Sequence, residues 1–462
     1  MHQGGLALNI KEENRKWWIL AAMGAGGGLI VLDETVVGVA LPTLRQDLGM
    51  SHVAAHWVVS AYFLAITGFA AAAGKLGDHF GLKRVMVASL LLFGATSLAA
   101  GFAQSGAWLI TARVFEGIGA AVIYPVSLAM VVKVFPKEQR GMAMGTCISV
   151  GTAFLAAGPL VGGLFTDLIS WRWIFWINVP IVAAILLVLQ MAWVEPTHDK
   201  APGPGLDWPG LVTLVVGLTL VVFAIMQGSS WGWGNVIILA LLASGIAILA
   251  LFVLLERKRL DPLIAIGLFA SAGFSACNLA LFVAQFSKIA VVIFLALYLQ
   301  DVLGMSALEA GLCLLVAVIG TPIMAGPTGR MADKLGARRL ELAGLALATL
   351  GILWIALAAG WNSYALLIPG LLVWGFALSV CFIPVLRYAM NAVPPDQHGQ
   401  VSGITMTARL LGGTIGMALC STLHSMTGSF QAVFLMSGLL LAAALPVVWI
   451  FLKQEEAPSA SA

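Results

Sequence analysis

Long apolar runs, separated by short polar stretches, recur along nearly the whole chain. On this pattern 14 runs reach the roughly 20 residues that an α-helix needs to cross a bilayer. The sequence therefore predicts an all-α integral membrane protein with 14 transmembrane helices. The predicted spans lie near residues 17–42, 54–74, 85–104, 107–132, 141–166, 173–194, 208–227, 235–255, 268–299, 308–328, 340–360, 363–390, 400–424 and 430–452.

The composition agrees with a chain whose solvent is mostly lipid. Charged residues form 10% of the chain and hydrophobic residues 60%, against roughly 25% and 45–50% in soluble domains. The five cysteines lie in apolar runs without metal-ligand spacing, so no metal site is expected. A net charge of +3 without a charged tail gives no reason to expect a nucleic-acid partner. The chain lacks a nucleotide-binding loop, so we expect no ATP-driven pump, enzyme, cofactor or obligate protein partner.

Lysine and arginine are concentrated in alternate loops, which sets the expected orientation. The other loops contain only Arg45 and Arg172. Because cytoplasmic loops carry the excess of positive charge, both termini are predicted to be cytoplasmic, in a bacterial-type inner membrane. No evident cleavage site follows the first apolar run, so that span is expected to be retained. The basic residues of the predicted cytoplasmic loops are Lys11, Arg15, Lys16, Lys75, Lys83, Arg84, Lys133, Lys137, Arg140, Arg257, Lys258, Arg259, Arg330, Lys334, Arg338, Arg339 and Lys453.

Residues 74–84 and 329–339 repeat one pattern of residue types. Each copy has a glycine, a base, two small or apolar residues, an aspartate, two variable residues, a glycine and a basic pair. The copies begin 255 residues apart, which leaves about 32 residues for each of eight intervening helices, close to one span and a short loop. This spacing predicts two six-helix halves, residues 1–194 and 261–462, separated by a linker and two inserted helices in residues 195–260.

Four further segments resemble signatures of one transporter family. Together with the duplicated halves, they resemble the major facilitator superfamily, and in particular its fourteen-helix drug:proton antiporters of the multidrug efflux type. The resemblance implies export of lipophilic or cationic drugs, and hence drug resistance, by proton antiport with alternating access. The implied partners are a small-molecule substrate, protons and the lipid bilayer. The four segments are residues 32–42, 113–121, 158–163 and 170–180.

Three positions depart from the pattern of that family. The family usually has asparagine at the position of Gly38, glutamine at that of Glu116 and glycine at that of Phe154. The antiporter class still follows from the remaining residues, whereas substrate details are not carried over from the family.

The repeated aspartates, Asp78 and Asp333, end helices on the predicted cytoplasmic side. Each can accept hydrogen bonds from the N-terminus of the next helix, or pair with Arg84 or Arg339 respectively. The resemblance implies a gating contact that holds the halves together when the substrate site faces outward. The alternative is a charged turn that only sets the topology.

The segment 158–163 is rich in small residues: Gly158, Gly162 and Gly163, with Pro159 among them. Small residues allow membrane helices to approach closely, and a proline is tolerated there as a bend. The resemblance assigns this segment to a hinge that also prevents leakage in antiporters. Close packing without a dynamic role is the alternative.

Asp33 lies well inside the first apolar run, where a charge costs about 2.5–3.5 kcal/mol on insertion scales. It lies roughly 24 Å along its helix, at a depth comparable with that of Arg113, and the resembled fold places their helices side by side. Asp33 beside Arg113 is therefore the leading proton-coupling candidate, with a static ion pair as the alternative. Glu34 points about 100° away and either joins the cavity or packs against a neighbour. Glu116, one turn from Arg113, either neutralises it or takes part in coupling.

The span near residues 268–299 carries a polar stripe of Asn278, Gln285 and Lys288 close to one helical face. Such a stripe within a span favours a substrate cavity over contact with lipid. Lys288 can repel cations, select anions or pair with one of the acids, and snorkelling is the alternative. Arg409 is assigned no role.

Two other functions stay open on the sequence alone. One is an exporter of a single specific metabolite, such as an anion recognised by Lys288, on the same fold. The other is a non-transporting membrane sensor built on a transporter fold. A channel is disfavoured, because a duplicated bundle with paired gating turns fits alternating access better.

Overall fold

The computed structural model describes residues 12–136, 139–194, 207–259, 262–391, 393 and 398–452, and every regular element in them is helical. The first helices are α1 (Glu12–Asp47), α2 (His52–Phe80), α3 (Leu82–Gly101), α4 (Gly106–Val134), α5 (Arg140–Leu168), α6 (Trp173–Trp176) and α7 (Asn178–Ala192). Two helices follow, α8 (Trp208–Trp231) and α9 (Val236–Lys258). The last are α10 (Ala272–Ile289), α11 (Leu295–Asp301), α12 (Ala307–Val318), α13 (Gly320–Leu335), α14 (Ala337–Ala359), α15 (Tyr364–Asn391), α16 (His398–Thr427) and α17 (Phe430–Phe451).

In the described residues, 14 helical segments are long and apolar enough to cross a membrane. The predicted all-α membrane fold and the number of spans are thus confirmed. Three spans are built from two helices each: α6 with α7, α10 with α11, and α12 with α13. A π-helix, Ala290–Phe294, joins α10 to α11. The α12–α13 break precedes Pro322, whose ring conflicts with the carbonyl four residues earlier.

The same helix pairings occur before and after the α8–α9 pair. α1 packs on α5 as α10 packs on α16, and α3 packs on α4 and α7 as α14 packs on α15 and α17. Between the two groups, α5 packs on α12 and α2 packs on α16. We call α1–α7 the first group and α10–α17 the second group.

The α8–α9 pair lies at the side of this bundle. α8 contacts α2 and α16, where Thr422 Oγ1 donates to the Ile225 carbonyl oxygen over 2.7 Å. α9 has α8 as its main neighbour and exposes Leu239, Ile246 and Leu254. Exposed large apolar side chains along a hydrophobic helix are those of a surface that faces lipid.

The repeated turns have the same backbone geometry in both copies. Gly81 is the single residue between α2 and α3, with φ 90°, and Gly336 stands between α13 and α14 with φ 78°. Residues with a Cβ rarely adopt such positive φ values, so Gly81 and Gly336 are needed for the sharp helix-to-helix turn of each copy.

The helix ends form two faces of unequal charge. We call basic face the one that carries Lys16, Lys83, Arg84, Lys133, Arg257, Lys258, Arg338 and Arg339. The opposite face carries Arg45 and Arg172. Arg172 and the Trp171 indole both donate to Asp47 Oδ2 over 2.9 Å, which ties the loop after α5 to the end of α1.

Candidate functional site

Two adjacent acids of α1 point to different neighbours at the middle of the bundle. Asp33 faces α4 of the first group, whereas Glu34 faces α10 of the second group. Successive residues of an α-helix point about 100° apart, so the two carboxylates cannot join the same cluster. Each acid therefore belongs to a separate polar cluster.

The first cluster consists of Asp33, Arg113 and Glu116. Arg113 Nη1 lies 2.5 Å from Asp33 Oδ2 and 2.8 Å from Glu116 Oε2. Arg113 Nε donates to the Val58 carbonyl oxygen over 3.2 Å, and the guanidinium carbon lies 3.9 Å from the centre of the Tyr62 ring. The side chains of the three charged residues are at most 1% exposed. The structure thus brings Asp33 and Arg113 together.

The first cluster has two carboxylates for one guanidinium. Asp33 Oδ1 and Glu116 Oε1 are buried and have no hydrogen-bond partner in the described part of the chain. With both acids ionised the cluster carries one excess negative charge, which is costly in a buried site. One proton on either free oxygen makes the cluster neutral.

The second cluster joins the two groups of helices. Glu34 Oε1 accepts from Lys288 Nζ over 2.7 Å and from Gln285 Nε2 over 3.2 Å. Gln285 Oε1 in turn accepts from Arg409 Nε over 3.3 Å. The sequence left several roles open for Lys288, and the structure shows one of them, pairing with an acid, Glu34. Asn278 is not part of this cluster, because its amide donates to the Phe274 carbonyl of its own helix over 2.8 Å.

A narrow pocket lies beside the second cluster, between α1, α2, α4 and α16. Its volume is about 20 Å³, enough for about one water molecule. A drug-sized molecule therefore enters only when these helices separate. The polar side chains in its wall come from Glu34, Tyr62, Tyr124 and Arg409.

The small residues of α5 allow close contacts on two sides. A Cβ on Gly162 would lie 2.8 Å from the Val36 carbonyl oxygen, and one on Gly158 would overlap the Thr35 hydroxyl, so both positions hold α5 against α1. A Cβ on Gly163 would lie 2.5 Å from the Ala307 carbonyl oxygen of α12. Across the same contact, the Pro159 carbonyl oxygen occupies the space of a Cβ on Gly311.

Two of the departures from the family pattern have a structural explanation. A Cβ on Gly28 would lie 2.5 Å from the Phe154 ring, so α1 lacks a side chain where α5 has a large one. A Cβ on Gly38 would lie 2.7 Å from Ile293 Cδ1 of the π-helix, so a larger residue at position 38 would require the Ile293 side chain to move. The third departure, Glu116, supplies the second acid of the first cluster.

The gating residues of the repeat are placed only in part. Asp78 and Asp333 lie in the last turns of α2 and α13, but their side chains lie outside the described part of the structure. Arg84 and Arg339 are exposed in the first turns of α3 and α14, on the basic face. Their role as a gating contact stays a prediction.

Sequence reasoning missed three residues that join or line these sites. Asp167 accepts from the backbone amides of Ala307 (3.2 Å) and Leu308 (2.7 Å), at the first turn of α12. Arg409 was visible as a base within an apolar run, whereas nothing in the sequence singled out Tyr62.

Glu341 of α14 is also fully buried, and neither of its carboxyl oxygens has a partner among the described residues.

An all-α bundle of 14 possible spans with two charged clusters at its centre is the architecture of a secondary membrane transporter. The sequence profile of the Major Facilitator Superfamily matches residues 23–279 and 277–462. The chain belongs to this superfamily and is a membrane transporter, not an enzyme.

Relatives agree with this assignment over most of their length. The chain is 35% identical to the cephamycin export protein CmcT of Amycolatopsis lactamdurans over 87% of this chain and 83% of that protein. It is 31% identical to the puromycin resistance protein pur8 of Streptomyces alboniger, over 89% and 82% of the two chains. It is 32% identical to the multidrug resistance protein Stp of Mycobacterium tuberculosis, over 87% and 74%.

One solved structure shows the same fold at low sequence identity. The human organic anion transporter MFSD10 superposes with a TM-score of 0.65 at 17% identity, over 95% of this chain and 100% of that chain. At this identity the likeness concerns the fold alone.

Proposed function

We propose that this protein exports drugs or antibiotics across the inner membrane in exchange for protons. The names of relatives that are more than 30% identical, which refer to cephamycin export, puromycin resistance and multidrug resistance, support the export of such compounds. The two termini lie in the cytoplasm in this proposal, because the basic face then follows the positive-inside rule.

The observation that carries the proton coupling is the first cluster, in which Asp33 and Glu116 share Arg113. A neutral cluster with one proton and an anionic cluster without it are two states of the same site. Exposure of the cluster to the outside favours proton uptake, and exposure to the cytoplasm favours release. Asp33 is the leading coupling residue, with Arg113 and Glu116 as its partners.

Alternating access is supported by where the two groups of helices meet. Polar contacts between them lie at the middle of the helices, as at Thr67 and Thr414 (2.7 Å), and toward the opposite face, as at Gln300 and Val39 (2.8 Å). Ala70 of α2 and Met406 of α16, which line the pocket, lie nearer the basic face than Thr67 and Thr414 do along the same helices. We assign this arrangement to a state that is closed on the outside.

In the outward-facing state, the two groups of helices must close on the basic face. In this proposal the halves are residues 1–194 and 261–462, and residues 195–260 add the inserted helices. The segment with Gly158 and Pro159 acts as the hinge. Asp78 and Asp333 supply the contacts at the basic face in the outward-facing state.

Transport in proteoliposomes tests this function. The purified protein is reconstituted with an imposed pH gradient, and uptake of a cephamycin is followed with and without a protonophore. We expect gradient-dependent uptake that Asp33→Asn abolishes, because the amide cannot carry the proton. Asp301→Asn, a half-exposed acid on the opposite face, serves as the control and retains uptake. Uptake that ignores the gradient would exclude proton antiport, and full activity of Asp33→Asn would exclude Asp33 as the coupling residue.

A further inference from the structure

The guanidinium group of Arg409 is only partly satisfied. Its Nε donates to Gln285 Oε1 over 3.3 Å, and its Cζ lies 5.0 Å from the centre of the Phe382 ring. In the described residues, its two terminal nitrogens make no hydrogen bond and no carboxylate forms an ion pair with it. A guanidinium group stays charged in a protein and presents these nitrogens as a planar fork for a carboxylate or phosphate.

The second cluster carries one positive charge in excess. Glu34 is the single acid of the cluster, and its Oε1 is already bound by Lys288 at 2.7 Å. The cluster therefore holds two bases, Lys288 and Arg409, and one carboxylate. Arg409 is part-buried, and no carboxylate among the described residues pairs with it. An anionic ligand that reaches its terminal nitrogens is therefore the natural partner of Arg409.

The surroundings of Arg409 define the rest of the ligand. The same pocket is walled by apolar side chains, among them Ile30, Phe63 and Met406, and by the Tyr124 ring. Such a wall favours an apolar or aromatic body, while a charged group fixes its orientation.

We propose that Arg409 binds the acidic group of the exported molecule, so that the substrates are amphiphilic organic anions rather than cations. This inference rests on the proposed export function and specifies its substrate class. Lys288 then positions Glu34 and does not itself hold the anion. Gln285 positions Arg409, because its amide oxygen accepts from the guanidinium group while its amide nitrogen donates to Glu34.

The two clusters are complementary in this scheme. The first lacks one positive charge and takes a proton, and the second lacks one negative charge and takes the anion. A cycle that imports one proton and exports one monovalent anion moves two positive charges inward. Export is then driven by an inside-negative membrane potential as well as by the pH gradient, whereas exchange of one proton for a monovalent cation is electroneutral.

Binding to the purified protein without any gradient tests the ligand class apart from transport. The probes are benzylpenicillin and pyrenebutyrate, each compared with its own methyl ester, which differs in charge but hardly in shape. We expect the wild type to bind each acid more tightly than its ester. Arg409→Gln should weaken binding of the acids by about tenfold to 100-fold, the worth of a hydrogen bond to a charged group, and leave the esters nearly unchanged. The affinity of Arg409→Lys for the acids should fall between those of the wild type and Arg409→Gln, because the positive charge remains but the planar fork of nitrogens is lost.

Arg257→Gln makes the same exchange at an exposed position on the basic face and should bind like the wild type. Retained binding of the esters shows that the Arg409 variants are folded. Tighter binding of the esters than of the acids, or an equal loss of both in Arg409→Gln, would overturn the proposal.

Asp33→Asn separates this inference from the proposed function. It should still bind the acids, while gradient-driven uptake in proteoliposomes is lost. If the wild type binds the acids through Arg409 but shows no gradient-driven uptake, the antiport proposal fails and the ligand class stands. If gradient-driven uptake is found for cations alone, antiport stands and the anion proposal fails.

Discussion

Lys288 of α10 and Glu34 of α1 form an ion pair at 2.7 Å, although 254 positions separate them in the chain. The pair joins the first and second groups of helices near the middle of the bundle, where both side chains are less than 10% exposed. A lysine that looks free in the sequence is therefore already neutralised in the folded protein.

Lys288→Met leaves the Glu34 carboxylate buried without its cation. Breaking a buried pair by removing one partner costs about 3–5 kcal/mol, so we expect a clear drop in the thermal unfolding temperature of the detergent-solubilised protein. The double variant Glu34→Gln/Lys288→Met should recover most of the lost stability, because it removes the carboxylate that Lys288→Met leaves without its cation. A double variant less stable than Lys288→Met would show that the pair is not the cause.

Glu116→Gln reduces the first cluster to a neutral pair of Asp33 and Arg113. Without the second acid the need for a compensating proton disappears, so proton movement coupled to export should fall to the level of protein-free vesicles. A pH-sensitive dye trapped in proteoliposomes measures this. Glu309→Gln, in the capping box of α12, is the control, since glutamine serves that box equally well. Undiminished coupled proton flux in Glu116→Gln would argue against a shared proton.

Gly163→Ala places a methyl group 2.5 Å from the Ala307 carbonyl oxygen, at the contact between α5 and α12. Overpacking of this kind costs about 1–3 kcal/mol, which we expect to separate the two groups at the opposite face. Hydrogen–deuterium exchange at the first turn of α12 should rise, and export should fall. Gly145→Ala in the same helix meets open space and should leave both unchanged. Equal behaviour of the two variants would contradict a tight contact at Gly163.

Asp167→Ala removes the acceptor of the Ala307 and Leu308 amides. Loss of a helix cap costs about 0.5–2 kcal/mol, so amide exchange at the start of α12 should accelerate about 2- to 30-fold. Asp301→Ala is the comparison, because its ion pair with Arg45 is long, at 3.8 Å, and partly exposed, and such pairs contribute little. Unchanged exchange in Asp167→Ala would show that Asp167 does not hold the two groups together.

The fold could be predicted well from local features of the chain. The apolar runs gave the number of spans, since each is long enough to cross a membrane without help from another part of the sequence. The structure explains the glycine that recurs in each repeated turn, because Gly81 and Gly336 have positive φ values that few other residues adopt. Three spans are nevertheless broken, and the π-helix in one of them had no recognisable signal in the sequence.

The candidate site could be predicted only in part. Asp33 and Arg113 were expected to lie together because their depths along the helices agree and because the resembled fold places their helices side by side, and the structure places them 2.5 Å apart. The partner of Lys288 and the environment of Arg409 were left open. Both depend on the approach of α10 and α16 to α1, which periodicity along a single helix does not report.

The sequence by itself determined that the chain is an all-α membrane protein with 14 possible spans, and which of its charged residues lie within apolar runs. Those properties follow from the length of apolar runs and from the cost of charge in lipid, neither of which depends on how the helices pack. Only the tertiary structure decided how the charges combine: two acids with one base around Arg113, and two bases with one acid around Glu34. The reason is that charge balance in a low-dielectric interior depends on distances of a few ångströms between helices that are far apart in the chain.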